Sequence, residues 1–387
     1  MSPKVSIIGA GISGLTAGIC LSKKNIPSVI YERNSAISDV SAGINLSPNA
    51  TNLLQKIGVL EDLISLGHQP SKVVFRDHKG KKISSYKVNR GDEKYLTLNR
   101  KGLIGLLYDK YKELGGEVTF NNKVEDVKNN NITTKDKSFD AELIFGCDGI
   151  NSSLRTKKFE SAPPLFSGFI AWRSIKEFSL PFEKNGGEDI NFYLGPNSHI
   201  VTYPIGERTY SATCIIKSSD WTEESWILKG SKGEFKSDFK AWNDDLLSYL
   251  SDSELYKWGI FQRSPLESFS TNNIFLLGDS AHAMVPFLGQ GSCLAIEDSY
   301  CVAEILEKKE LLDEAKKIFD DLRLSRCKNI YRRSLRQAKL NHISNPLLTL
   351  LRNKLLSFLP LADFMIRDIH SYDLDAELKK LSSYLEP

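Results

Sequence analysis

Short apolar runs alternate with helix-patterned segments through the first half of the chain, and the joints between them are rich in glycine. Lys4-Val5-Ser6-Ile7-Ile8 is a β-type run leading into Gly9-Ala10-Gly11-Ile12-Ser13-Gly14, after which Leu15, Ala17, Ile19, Cys20 and Leu21 continue as a mostly apolar helix. A second run, Ser28 to Tyr31, ends in Glu32. Further on, Ser41 to Ala50 reads as a loop entering a helix that stops at Gly58, and Lys72–Phe75 with Lys81–Tyr86 reads as a hairpin turning at Asp77–Gly80. Tyr95 to Asn99 precedes a helix over Leu103–Leu114, with Arg100 at the boundary, where a guanidinium could reach a phosphate; surface charge is the alternative.

Ala141 to Phe145 is an apolar strand ending in Gly146-Cys147-Asp148-Gly149, and Ile274 to Leu277 repeats that logic, ending in Gly278-Asp279. After the second comes an irregular Pro/Gly segment, Val285 to Gln290, and a helical pattern from Gly291, so a helix N-terminus with free N–H groups faces whatever lies above the strand. Between these stretches, Phe166 to about Phe269 is β-rich and aromatic and holds all five tryptophans, including Trp172, Trp226 and Trp258. Its alternation predicts a mainly antiparallel sheet, with most of the aromatic rings as core. From Glu304 the chain is helical and charged, and Arg323, Arg326, Lys328, Arg332, Arg333, Arg336 and Lys339 read as a solvated helix face.

The opening turn carries GxGxxG between a strand and a helix: two glycines for the tight turn and close backbone approach to a pyrophosphate, and a third for helix packing. Glu32, eighteen residues beyond Gly14 at the end of the next strand, is placed to accept hydrogen bonds from ribose hydroxyls, and an acid there disfavours a 2′-phosphate. Asp148 and Asp279, each at a strand end beside a glycine, are placed to hold polyol hydroxyls across the sheet edge.

Composition narrows the partners. The 387 residues include 51 basic and 48 acidic side chains, a near balance that advertises neither nucleic acid nor acidic lipid. Six scattered cysteines without a CxxC pair favour a reducing compartment and no metal. The apolar segment Pro346 to Met365 is broken by Arg352, Lys354, Pro360 and Asp363, too often for a membrane span. A cytoplasmic protein is expected.

Taken together, GAGISG with Glu32, GCDGINSSLR (Gly146 to Arg155) and GDSAHAMVPFLGQGSCLAIED (Gly278 to Asp298) resemble the class A flavoprotein aromatic hydroxylases over almost the whole chain. The salicylate hydroxylase and 6-hydroxynicotinate 3-monooxygenase branch is the nearest match, through Phe166 to Arg173, Leu194 to His199, Tyr203-Pro204 and Tyr372-Asp373. That resemblance implies an α/β fold in which a Rossmann-like FAD-binding domain of the GR2 type (1–70, 98–165 and 271–310) interleaves with a mainly antiparallel substrate domain (71–97 and 166–270), followed by a helical region (311–387). It implies FAD held by Gly9, Gly11, Gly14, Glu32, Arg33, Arg100, Asp148, Gly149, Asp279, Gly289, Gln290 and Gly291. NADH or NADPH would be the co-substrate, and O2 would react through a C4a-hydroperoxyflavin to hydroxylate a small phenolic or hydroxylated heteroaromatic acid.

His199 and Tyr203 match the branch's active-site His and Tyr, where a base or base relay is expected, and a four-residue spacing puts both on one face of a strand. A core tyrosine and a satisfied histidine are the alternative. Asn45 is assigned to the substrate, Pro286 to the flavin and oxygen site, and His282 to structure. Two departures from the family pattern stand out: Asn99-Arg100-Lys101-Gly102 where His-Arg-x-Asp is common, and Ser280 where alanine is common. The competing readings are a flavoenzyme acting on a larger polycyclic or isoprenoid substrate, and a non-catalytic FAD-binding module. A monomer or a homodimer is expected.

Overall fold

Val5–Ile8 is buried along its whole length because it lies at the centre of a six-stranded sheet. Parallel neighbours flank it on both sides, with Ile7 level with Phe145 of Leu143–Gly146 and with Ile30 of Ser28–Tyr31. The sheet continues through Ile274–Leu276 to the short edge Ser270–Thr271 on one side, and to Glu117–Thr119 on the other. A strand covered on both faces has no polar side to show, which is why these runs are continuous rather than alternating. In this computed structural model the described residues are 4–38, 40–128, 130–135, 137–177, 187–219, 221, 228–308, 311–358 and 361–385. Trp226 lies outside them.

The helix Ile12–Lys23 packs against the sheet, with the helices Gly291–Lys308 and Arg100–Glu113 beside it. Their inner faces join one apolar core with the strands, through residues such as Leu15, Ile104, Phe145, Phe275 and Leu294.

An eight-stranded sheet forms the second layer. It runs Lys229–Gly230, Leu255–Gln262, Leu165–Glu177, Thr209–Lys217, Ser198–Pro204, Ile190–Gly195, Lys72–Asp77 and Lys82–Lys87. All its pairings are antiparallel except that of Ile190–Gly195 with Lys72–Asp77. Trp172 is fully buried on one face against Phe235, which supports the assignment of aromatic residues to core. A two-stranded ribbon, Gly43–Leu46 with Leu96–Asn99, packs against the helix Gly291–Lys308 and against Ser198–Pro204 and Thr209–Lys217 of the second sheet. No helix among the described residues is long and apolar enough to cross a membrane.

The C-terminal helices depart from the expected solvated face. Arg332, Arg336 and Lys339 of the helix Leu312–Asn341 are exposed, but Arg323 is completely buried. Its Nε donates to Asp298 Oδ1 (2.7 Å) and its Nη1 to Glu297 Oε2 (2.8 Å), both carboxylates being inaccessible to water. Arg326 adds two bonds to Glu297. The helix turns part of its charged pattern inward because two acids wait there.

Candidate active site

A cavity of about 890 Å³ is walled by loops of the six-stranded sheet, by one face of the eight-stranded sheet and by the C-terminal helices. At its first end the three glycines of the opening turn divide the work. A Cβ on Gly14 would collide with the Gly9 carbonyl, and one on Gly9, whose φ is +107°, with the Cys147 carbonyl, so these two allow the turn and helix to sit against the strand. Gly11 has no protein atom within 4 Å of its Cβ position and lines the cavity, leaving its backbone open to a ligand at the N-terminus of the helix Ile12–Lys23. Glu32 is buried behind this turn: it accepts from the Ala10 N–H (2.8 Å) and from both nitrogens of Asn34. Arg33 is exposed, and neither Glu32 nor Arg33 is among the cavity's lining residues.

Asp279 and Arg100 face the same cavity. Burial pushes the Asp279 carboxyl up, offset in part by His282 and then Arg100, and pushes the Arg100 guanidinium down, offset in part by Asp279. Asn99 caps the helix that starts at Arg100: its side chain accepts from the Lys101 N–H (3.0 Å) and donates to Ser41 Oγ (2.6 Å). The residue that departs from the family pattern therefore still fixes where the arginine begins. Asp148 has one oxygen on the Ser153 N–H (3.0 Å), while its other oxygen is buried without a partner, and burial raises its carboxyl.

Ser280 has more to do than its substitution for alanine suggests. Its hydroxyl reaches the Gly146 and Leu277 carbonyls and accepts from the Leu277 N–H, tying together the two strand ends that carry Asp148 and Asp279. Asp298 holds the same turn from behind, accepting from the Gly278 N–H (2.8 Å), His282 Nε2 (2.6 Å) and Arg323. Burial alone would raise Asp298, but the cations around it win and hold it at about 2. His282 is buried in this set and is not among the cavity's lining residues.

Gly289 and Gly291 border the cavity with Pro286, and Gly291 begins the eighteen-residue helix Gly291–Lys308. Gln290 does not border it: its side chain turns inward to Ser47 (3.0 Å) and Asn49 (3.1 Å). The inward turn follows from Asn49, which also bonds Glu297 and so belongs to the buried ionic set. The side chain of Gln290 is thus committed to the protein, and only its backbone is left for the helix start beside a cofactor.

At the other end, His199 and Tyr203 project into the cavity from Ser198–Pro204, as the period of a strand requires. Both are buried. The His199 ring stacks on Phe192 at 5.0 Å, and its Nδ1 lies 3.0 Å from Nε2 of His342, a residue the sequence reading passed over. Nδ1 of His342 is 2.7 Å from the Ala338 carbonyl, which can only accept. His342 Nδ1 is thus the donor, its Nε2 the acceptor, and His199 must donate from Nδ1 and keep its lone pair on Nε2. Burial, and then His342, hold His199 well below the ordinary histidine range, and burial lowers His342 to about 4, so both rings rest neutral. The Tyr203 phenol is pushed up by burial. A Cβ on Gly43 would stand 2.7 Å from the Tyr203 hydroxyl, so this glycine lets the ribbon carrying Asn45 approach the tyrosine. Asn45 lines the cavity with Oδ1 buried and unpartnered.

These features fit FAD. Open glycine backbone at a helix start suits a pyrophosphate, an unpartnered Asp148 oxygen suits hydroxyl donors, and a second helix start at Gly291 suits a ring that takes up negative charge. The comparisons with known proteins agree. Residues 2–320 match the family described as FAD binding domain. The chain is 29% identical over 359 residues to 3-amino-4-hydroxybenzoate 2-monooxygenase PtmB3 of Streptomyces platensis, covering 86% of this chain and 87% of that protein. It is 27% identical over 365 residues to 6-hydroxynicotinate 3-monooxygenase of Bordetella bronchiseptica, with 89% and 94% covered. In fold it is similar to the structure titled salicylate hydroxylase substrate complex, with a TM-score of 0.82 at 21% identity over 98% of this chain and 97% of that one. A family match across most of the chain, over a glycine-turn cavity built for a dinucleotide, identifies this protein as a member of the FAD binding domain family and, within it, as an FAD-dependent monooxygenase of the class A aromatic hydroxylase type.

Proposed function

We propose that this enzyme consumes NADH or NADPH and O2 to hydroxylate a small phenolic or hydroxylated heteroaromatic acid. The observation that carries this reading is the continuity of one cavity from Gly11 and Asp279 to His199 and Tyr203. The segments 1–70, 98–165 and 271–310 would form the cofactor domain, and 71–97 with 166–270 the substrate domain. Bound FAD would take up the reducing equivalents from NADH or NADPH and use them to activate the oxygen. Gly11 and Arg100 would hold its pyrophosphate, Asp148 and Asp279 its polyol hydroxyls, and Pro286, Gly289 and Gly291 would border its ring. Gly9, Gly14 and Glu32 would act by shaping the turn.

The protein's part is to place the ring, exclude water and move one proton. His199 would accept the substrate's hydroxyl proton at Nε2, since its Nδ1–H is committed to His342, the anionic substrate left beside it offsetting the burial that disfavours a charged ring. Tyr203, neutral at working pH, would orient that hydroxyl. Removing the proton raises the electron density of the ring carbon to be attacked. Asn45, with a buried acceptor unmet by protein, would bind a donor on the substrate.

His199→Ala is expected to lower coupled hydroxylation about 10²–10⁴-fold, and Tyr203→Phe by less, with flavin content unchanged. If both variants keep wild-type coupling across pH, the base assignment is wrong. Stopped-flow flavin reduction by NADH and NADPH against a panel of aromatic acids tests the reaction itself, with oxygenated product as the second readout. Leu348, Leu351, Leu355 and Leu356 give the cavity an apolar wall, which favours the second reading, a larger hydrophobic substrate. A size series of aromatics scored for product separates the two.

A further inference from the structure

The helix Pro346–Phe358 turns Leu348, Arg352 and Leu355 towards the cavity, spaced four and three residues apart as one helical face. Arg352 is only 7% exposed. Its Nη1 donates to the carbonyls of Leu340 (3.1 Å) and Asn341 (3.5 Å), and its Nε to Asn353 Oδ1 (3.1 Å). Nη2 is buried and has no hydrogen-bond partner. Among the described residues no carboxylate pairs with this guanidinium, and burial, uncompensated by any acid, lowers it to about 10.

Asn341, next to it and 2% exposed, is in the same position. Its Oδ1 accepts from Gln337 Nε2 (2.8 Å), while its Nδ2 is buried without an acceptor, and it too lines the cavity. The residues that carry these two buried donors, one of them cationic, thus line the chamber that holds His199. Arg352 is close enough to act electrostatically on His342, the partner of His199. A buried cation left without a counter-charge lowers stability, and it persists where a ligand supplies the missing charge. A carboxylate matches what is lacking: a negative charge and acceptor oxygens for both N–H groups.

We infer that Arg352 Nη2 and Asn341 Nδ2 form the anchor for the carboxylate of the aromatic acid, fixing the ring with its hydroxyl towards His199. This rests on the reading of the substrate as an acid. It assigns specificity to the C-terminal helical region instead of the sheet.

The test is equilibrium binding to the oxidised FAD-loaded enzyme, followed by the flavin spectrum. The probes are benzoate, salicylate and 6-hydroxynicotinate, each paired with its amide. Wild type is expected to bind the best acid at least about tenfold more tightly than its amide. Arg352→Met should weaken the acid by about 10- to 100-fold and leave the amide unchanged, the range set by losing a hydrogen bond to a charged group. Arg352→Lys should restore part of the acid preference, and Asn341→Leu should cost about tenfold or less. Because Arg352→Met removes an uncompensated buried charge, its melting temperature should hold or rise, where loss of a merely structural arginine would lower it. Equal weakening of acid and amide, no weakening, loss of FAD from Arg352→Met, or wild type binding none of the acids would each overturn the assignment. NAD(P)H oxidation stimulated only by neutral phenols would leave the hydroxylase standing and remove the anchor; stimulation by no aromatic would remove the hydroxylase.

Discussion

Arg323 and Arg352 both lie in C-terminal helices with their guanidinium groups out of water, yet their surroundings differ in kind. Arg323 is met by Glu297 and Asp298, and the three form one ionic set with Arg326, His282, Asn49 and the Gly278 turn. Arg352 is met by carbonyls and one amide oxygen, with one nitrogen left over. The first guanidinium is fully paired within the protein, and its partner Asp298 holds the Gly278 turn next to Asp279. The second is incomplete and faces a chamber. Lack of a carboxylate partner is shared by the buried Arg155 and Arg263, which bond to carbonyls and hydroxyls; Arg352 differs from them in lining the chamber.

The largest expected effect comes from breaking the complete set. Arg323→Met leaves two buried carboxylates short of their cation and should cost about 3–5 kcal/mol, read as the urea midpoint, with weaker FAD retention. Arg352→Met should move stability the other way or not at all, and equal losses in the two variants would dissolve the contrast. A smaller effect probes the glycine turn. Gly14→Ala places a methyl against the Gly9 carbonyl and should destabilise the apoprotein by about 1–3 kcal/mol. Gly11→Ala, facing open space, should leave the apoprotein's melting unchanged and weaken FAD binding.

The most gradual effect follows pH. Asp298 is held at about 2 and Glu297 is also lowered, so the folded state binds these protons less readily than the unfolded chain. Their stabilisation is present above the unfolded carboxylate range of about 4 and fades as pH falls from there towards about 2. Circular dichroism melts should therefore be flat through neutral pH on account of this set and drop below about pH 4. In Arg323→Met, where burial of the two carboxylates is no longer offset by that cation, the drop should shrink or reverse, because their folded-state pKa values rise towards or above the unfolded ones.

How much was legible follows from where each constraint resides. The glycine turn was readable because its requirement is local: backbone approach demands glycine at fixed spacing, and an adjacent strand and helix give the context. The common face of His199 and Tyr203 was readable from strand period. Arg323 was misread because its run of basic neighbours is what a solvated helix shows, and its acids lie 25 and 26 positions earlier on another helix. Gln290 sits in a recognised loop, but its rotamer is set by Asn49, far away in sequence. His342 carries no motif, and its importance arises from a contact across 143 positions. Arg352 drew notice only as an interruption in an apolar stretch; nothing in a sequence tells a cation with a partner from one without.

The order of strands in the six-stranded sheet also governs how the molecule is made. Val5–Ile8 is pinned by Leu143–Gly146, which is pinned in turn by Ile274–Leu276. Val5–Ile8 therefore waits until Ile274–Leu276 has been made before its sheet is complete. Long-range parallel pairing of this sort slows folding and leaves edges exposed meanwhile. Chaperone demand and refolding yield should thus respond more to lesions in Ile274–Leu276 than to equal lesions in the local hairpin Lys72–Lys87, although the hairpin is synthesised first.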